Sequence, residues 1–357
     1  MAYDLANLGA KAVCPTNKMV ADDKSIPGVY VQVAPQTLDK LLVSGDSSII
    51  HPAFMVDGAQ KSIYVGKFLG SRHGTRIYSL PGEDPVASIN FETMLQYCRN
   101  KGTGHHLTTW AEYAFLALWC KKNGTQPRGN NNYGKDTAES NYVAIPTYYD
   151  GSKNIARVAT GSGPVTWSHD GTEAGIWDLN GNVWEWAAGM RLVKGEVQFI
   201  PYNNAAKPDC DMGANSTEWK AINANATSYA DLYITPDGSG TTEGSVKLDY
   251  VSSHWQLGTS ITSQADSSRS CQFSSITSSG LSDFCKMFLR AMVLLPEDGD
   301  TDYGGDYFWA NNASDERCPS RGGGWSAGGS AGVFYVRLHY PRSSVNDNLG
   351  GRPAYFE

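Results

Sequence analysis

Four places in this sequence hold residues whose types and spacing could do chemistry. Gly324-Trp325-Ser326-Ala327-Gly328 has the G-x-S-x-G form of a nucleophile elbow. That device needs a strand before the serine, a helix after it, and an acid followed by a histidine downstream. Beyond Ser326 the one histidine is His339 and the one aspartate, Asp347, lies behind it, while the glycines after the serine oppose a helix. A hydrolase is not expected. In PEDGDTDYGGD, residues 296 to 306, Asp298, Asp300 and Asp302 alternate as in a calcium loop. Tyr303 stands where an EF-hand needs glycine and Trp309 where it needs a carboxylate. The stretch reads as a solvated acidic turn, with an irregular calcium site as the alternative. His105-His106 has no third ligand at matching spacing, and Glu185 stands between Trp184 and Trp186 without a second carboxylate for acid/base work. No catalytic residue, metal ligand or cofactor is assigned.

The composition narrows the classes further. The 357 residues carry 29 Lys+Arg against 36 Asp+Glu, a net charge of -7 that opposes a phosphate-tracking surface and so a nucleic-acid partner. No window is apolar enough to span a membrane, and the opening MAYDLANLGAKAVCPTNK lacks the basic and apolar regions of a secretory signal. Cys14, Cys98, Cys120, Cys210, Cys271, Cys285 and Cys318 are far apart and odd in number. They suit buried free thiols, with one bridge between distant partners as the alternative. Few charges and 38 glycines predict a loop-rich chain of short strands and two or three helices.

The elements that must position any site follow from periodicity. Residues 1 to 49 hold scraps of strand and helix (VYVQVA, TLDKLLVSG) and read as a small N-terminal region for attachment; a larger domain is expected from residue 50. In SINFETMLQYCRNKG, Phe91, Met94, Leu95 and Cys98 fall on one helical face, with Ser88 as the cap and Gly102 past the end. In TTWAEYAFLALWCKKNG, Thr109 and Glu112 form a capping box, Lys121 and Lys122 occupy the last turn, and Gly124 stops the helix. Both helices are expected to lay one face on a sheet. GIWDLNGNVWEW predicts a hairpin turning at Asn180-Gly181. Residues 194 to 300, rich in Ser, Thr, Asn and Gly, read as an insertion that closes with a helix-like SDFCKMFLRAMVLL before Pro296. In VFYVRLHYP, Phe334, Val336 and Leu338 alternate with Tyr335, Arg337 and His339, one set for the core and one for solvent.

LTTWAEYAFLA, QPRGN, GIWDLNGNVWEW, RGGGW and NLGGRPA occur in an order and spacing that resemble the formylglycine-generating enzyme, or sulfatase-modifying, family. The likeness covers residues 50 to 357 apart from the insertion. It implies an α+β, C-type-lectin-like fold: small twisted antiparallel sheets, two main helices and long loops. The family's enzymes carry two cysteines after the RGG motif; Ala327 and Gly332 stand there in this chain, so the thiol chemistry is not implied. The ending is more similar to the variable proteins of diversity-generating retroelements. It shares their frame at Arg321, Gly322, Gly323, Trp325, Gly329, Ala331, Gly332, Val333, Phe334, Leu338, Pro341, Arg342, Ser343, Asn348, Gly350 and Arg352. Gly351 departs from it where phenylalanine is usual, leaving a hole for neighbours to fill. In that family template adenines are randomised, and asparagine codons so treated never give Lys, Gln or Met; residues 321 to 357 contain none of the three.

The resemblance implies that the gap positions Gly324, Ser326, Ala327, Ser330, Tyr335, Arg337, His339, Tyr340, Val345 and Asp347 form a diversified ligand-binding face. Tyr307 and Trp309 stand either at its edge or in the core. Alternation alone would equally describe the wet side of any sheet. The reading that follows is a non-enzymatic protein that binds a protein or glycan receptor on a target cell. It would be made in the cytoplasm and carried on a virion as a tail or fibre component, with cell-surface display as the alternative location. Oligomers would add avidity. Its rivals are an enzyme of the formylglycine-generating type with altered chemistry and a structural virion protein.

Overall fold

The strand Pro27–Val33 alternates as its sequence predicts, burying Tyr30, Val31 and Val33, and pairs antiparallel with Asn17–Ala21 on one side and Ile63–Gly66 on the other. Pro353–Phe356 lies against Ile63–Gly66 and is flanked in turn by His105–Leu107, completing a five-stranded sheet. The computed structural model in which these pairings are seen describes residues 14, 15 and 17–357; the part of the expected attachment region at residues 1–13 lies outside it. Strands from before residue 50 share this sheet with Ile63–Gly66, His105–Leu107 and Pro353–Phe356.

The chain has an α+β fold of small, mostly antiparallel sheets and several helices. A second sheet has six strands in the order Arg269–Gln272, Tyr307–Ala310, Val336–Tyr340, Cys318–Arg321, Trp184–Trp186 and Leu349–Gly351. A third is built from strands between residues 190 and 278. Its inward side chains Phe199, Leu248 and Trp255 share one core with the helix Trp110–Asn123, the helix Asp283–Ala291, and Phe334, Val336 and Leu338. All seven cysteines are free thiols.

Helix ends follow local chemistry. Thr109 and Glu112 make the expected capping box, at 3.1 and 2.9 Å, and Gly124 closes the helix in the left-handed region. From Trp110 to Leu118 every residue is buried, so this helix is enclosed on all sides rather than laid by one face on a sheet. The helix Phe91–Arg99 is capped by Asn90, whose side chain accepts from the Thr93 amide, and not by Ser88. Ser88 is drawn aside, its amide bonded to the Asn346 carbonyl.

The predicted hairpin at Asn180-Gly181 does not form. Its two arms are claimed by distant partners: the Trp177 amide by the Lys67 carbonyl, the Asn182 amide by Asn130, and the Trp184 amide by Asn348. Trp184–Trp186 instead pairs parallel with Leu349–Gly351 and antiparallel with Cys318–Arg321. Gly181 is still required, because a Cβ there would lie 2.1 Å from the Asn130 carbonyl oxygen. At Gly351 the expected filling is seen: Met94 and Leu107 occupy the space, within 2.8 and 3.1 Å of where a Cβ would stand.

One buried ion pair ties these parts together. Arg352 donates to both carboxylate oxygens of Glu185, at 2.8 and 3.0 Å, and to the carbonyls of Gly66 and Trp177. Neither side chain is more than 2% exposed. Removing one partner of such a pair strands the other charge in the interior. Arg352→Met is therefore expected to cost about 3–5 kcal/mol, and the Glu185→Leu, Arg352→Met double variant less than the sum of the single changes, as read from urea unfolding midpoints.

Candidate functional site

The strand Val336–Tyr340 presents two unlike faces. Val336 and Leu338 point into the core with Phe334 from just ahead of it, all fully buried. Arg337 and His339 point the other way. Register supplies their neighbours: Trp309 stands beside Arg337 on the parallel strand Tyr307–Ala310, and Ser320 on the antiparallel strand Cys318–Arg321. One strand further, Trp186 stands beside Ser320.

This face is an aromatic platform with one cation set into it. The guanidinium carbon of Arg337 lies 3.9 Å from the centre of the Trp184 ring and 5.1 Å from that of Tyr340. Its Nη1 donates to the Tyr340 hydroxyl at 3.0 Å. Tyr335 packs on Trp184 at 4.5 Å, His339 on Tyr340 at 4.5 Å, and Trp309 lies 6.5 Å from the His339 ring. His339 Nδ1 is also 3.0 Å from the Ser268 hydroxyl. Burial, with Arg337 as a positive neighbour, pushes the His339 imidazole down to about 4. It is neutral at pH 7, which leaves Arg337 as the cation of the platform. Burial also draws the Arg337 guanidinium below its ordinary value.

The expected positions differ in their exposure. Ser326, Val345 and Asp347 are exposed, and Ala327, Ser330, Arg337, His339 and Tyr340 are half-buried. Tyr335 and Gly324 contradict the expectation of solvent-facing side chains. Tyr335 is 5% exposed. It precedes the strand at a turn where its amide bonds to the Gly332 carbonyl, and its ring tucks under Gly323, 3.2 Å from where a Cβ would be. A Cβ at Gly324 would meet Trp184 and Asn348 at 3.2 and 3.3 Å. Tyr307 and Trp309 are half-buried and packed against the same aromatic cluster.

The two loops are held by main-chain bonds that their own side chains do not make. Trp325 and Gly328 bond through their backbones to Tyr133 and Asn131; Arg342 and Asn346 accept from Phe91 and Ser88. Sequence reasoning missed two residues. Trp184, met in the sequence only as a neighbour of Glu185, is buried, yet its ring is the plate under Arg337. Ser320 had no signal, since only strand register places it.

The other chemical candidates are occupied structurally. Ser326 is followed by a 3-10 turn, Gly328–Ser330, and no long helix. His106 bonds to Glu112 at 2.8 Å inside the core, and burial pushes the His105 imidazole down to about 3. Lys121 pairs with Asp300, and Arg290 with Asp298. Among the described residues no group of three His, Cys, Asp or Glu is placed to hold a metal ion.

Residues 14–204, over half of the chain, match the sulfatase-modifying factor enzyme 1-like domain. The chain belongs to this family. No curated protein sequence matches it. Solved structures of the Major Tropism Determinant align along 92% of the chain: the U1 and P3c variants at 11% identity and a TM-score of 0.29, and the I1 variant at 12% and 0.31. The chain spans 63% of the length of each. At the positions where enzymes of the family carry cysteines, Ala327 is half-buried and Gly332 has no room for a side chain. A Cβ at 332 would lie 2.4 Å from both carboxyl oxygens of Asp306, itself fixed by the Phe334 amide at 2.7 Å. Burial pushes that carboxyl up to about 8.

Two outcomes are expected. Tyr335→Ala loses about 3 kcal/mol of stability, as for other buried aromatics, whereas Ser326→Ala and Val345→Ala stay within about 0.5 kcal/mol, by urea unfolding. In an NMR titration the His339 ring stays neutral until the pH falls to about 4.

Proposed function

We propose that the chain is a non-enzymatic binding protein whose diversified face captures a receptor on the surface of a target cell, and that it is carried on a virion as a tail or fibre component. The observation that carries this reading is the two-faced strand Val336–Tyr340. Its inner Leu338, with Phe334 just ahead, falls in the retroelement frame and with Val336 fills the core, while its outer side chains fall at gap positions beside half-buried aromatics. Tyr, Trp, Arg and His offer large amphipathic contact at small entropy cost, which is why they dominate binding hot spots and antibody loops. Ser326, Val345 and Asp347 add exposed positions on loops fixed through their main chains. Residues 1–49 keep their proposed attachment role, with the strands Asn17–Ala21 and Pro27–Val33 committed to the sheet.

Tyr335 enters this picture as a residue beneath the surface. Variation there is expected to run among large, mostly aromatic side chains, and variation at Gly324 among the smallest.

The test is deep sequencing of the codons for residues 321–357 in a population grown from one clone, with an upstream region as control. Substitutions concentrated at codons 326, 327, 330, 337, 339, 340, 345 and 347, with the codons for Phe334, Val336 and Leu338 fixed, are expected. A segment as invariant as the control overturns diversification. In parallel, Arg337→Ala with His339→Ala is expected to reduce attachment to target cells by tenfold or more, on the scale of a lost hot spot, with the unfolding midpoint nearly kept. Unchanged attachment would favour a structural role.

A further inference from the structure

Across the platform, three donors stand in one register row on adjacent strands: Trp309, Arg337 and Ser320. Trp309 Nε1, Arg337 Nε and Ser320 Oγ are buried without a well-formed hydrogen bond, and the Tyr335 hydroxyl lies beside both Trp309 and Arg337. No carboxylate is among the groups that act on the Arg337 guanidinium; its polar neighbours are the Tyr335 and Tyr340 hydroxyls. The guanidinium in the middle donates to the Tyr340 hydroxyl at 3.0 Å. Among the described residues it forms no ion pair. Arg191 and Arg342 show the contrast, for they share the Glu316 carboxylate.

We propose that this face takes the carboxylate of an aspartate or glutamate side chain on a protein ligand, seated on Arg337. The inference rests on the binding role proposed above and names the chemistry it selects. A guanidinium presents a planar fork that matches a carboxylate, and charge-assisted bonds are the strong ones. Of the three residues in the row, Arg337 alone carries charge. The half-buried state of Arg337 leaves its outer edge open to such a group. A protein side chain fits better than an acidic sugar. Sugars stack on open ring faces, and the Trp184 ring is 1% exposed and covered by Arg337 and Tyr335.

The probe is an array of hexapeptides that carry glutamate at one position amid varied flanks, each printed beside its glutamine twin, together with an oligoglucuronate. The chain, Arg337→Gln and Arg337→Lys are applied, and thermal unfolding of each verifies the fold. Retained peptides are expected to lose about tenfold or more of their binding when glutamate becomes glutamine. Arg337→Gln should erase that discrimination, and Arg337→Lys, with its charge but no fork, should keep part of it. Glutamine twins held as well as glutamate peptides would overturn the carboxylate while leaving a binding face. A preference that survives Arg337→Gln would place the acid elsewhere and overturn the assignment to Arg337. Retention of the oligoglucuronate above all peptides would overturn the protein ligand. No retention of any probe by the platform would count against both this inference and the binding reading on which it rests.

Discussion

The ion pair between Arg352 and Glu185 is the constraint on which the other parts lean. Its two residues lie 167 positions apart, and the arginine also takes up carbonyls of Gly66 and Trp177. One guanidinium thereby joins the junction between Leu349–Gly351 and Pro353–Phe356 to the strand Trp184–Trp186 and to the neighbouring sheet. A charge this deep is tolerable only when its partners are all in place, so the pair specifies a geometry more than it adds stability. The geometry it specifies includes the position of Trp184, and through Trp184 the seat of Arg337.

A surface that is to change its side chains without changing its backbone needs its backbone held by something else. Here the strand Val336–Tyr340 is clamped between neighbours on both sides and pinned below by Phe334, Val336 and Leu338. The loops around residues 324–331 and 341–348 hang from main-chain bonds to Asn131, Tyr133, Ser88 and Phe91. None of those anchors depends on the identity of the side chain above it. Gly332 serves the same end, for its missing side chain is what lets Asp306 sit under the turn and hold the Phe334 amide.

Much of this was legible in the sequence where short-range chemistry decides. The Thr109–Glu112 box, Gly124 and the alternation through Phe334, Val336 and Leu338 each describe a local preference that the fold honours. The hairpin at Asn180-Gly181 failed because its turn signal was sound but its strands had stronger partners far away: Lys67, Asn130 and Asn348. Ser88 lost its capping role to Asn90 for a similar reason. Of the face, residue types were readable and depth was not. Tyr335 shares the parity of Arg337 and His339, yet it falls one residue before the strand begins, where the turn at Gly332 and the open space at Gly323 draw its ring inward. Ser320 and Trp309 join Arg337 only through register, which no single stretch of sequence encodes.

The strand Pro353–Phe356 lies downstream of every variable position and occupies an interior place in the five-stranded sheet, between Ile63–Gly66 and His105–Leu107. A frameshift or premature stop within residues 321–351 would delete that strand and with it Arg352. Non-local strand pairing of this kind forms late and leaves its unfinished edges exposed to aggregation and degradation. A copy whose reading frame is damaged within residues 321–351 therefore cannot close the sheet, whatever side chains its face carries.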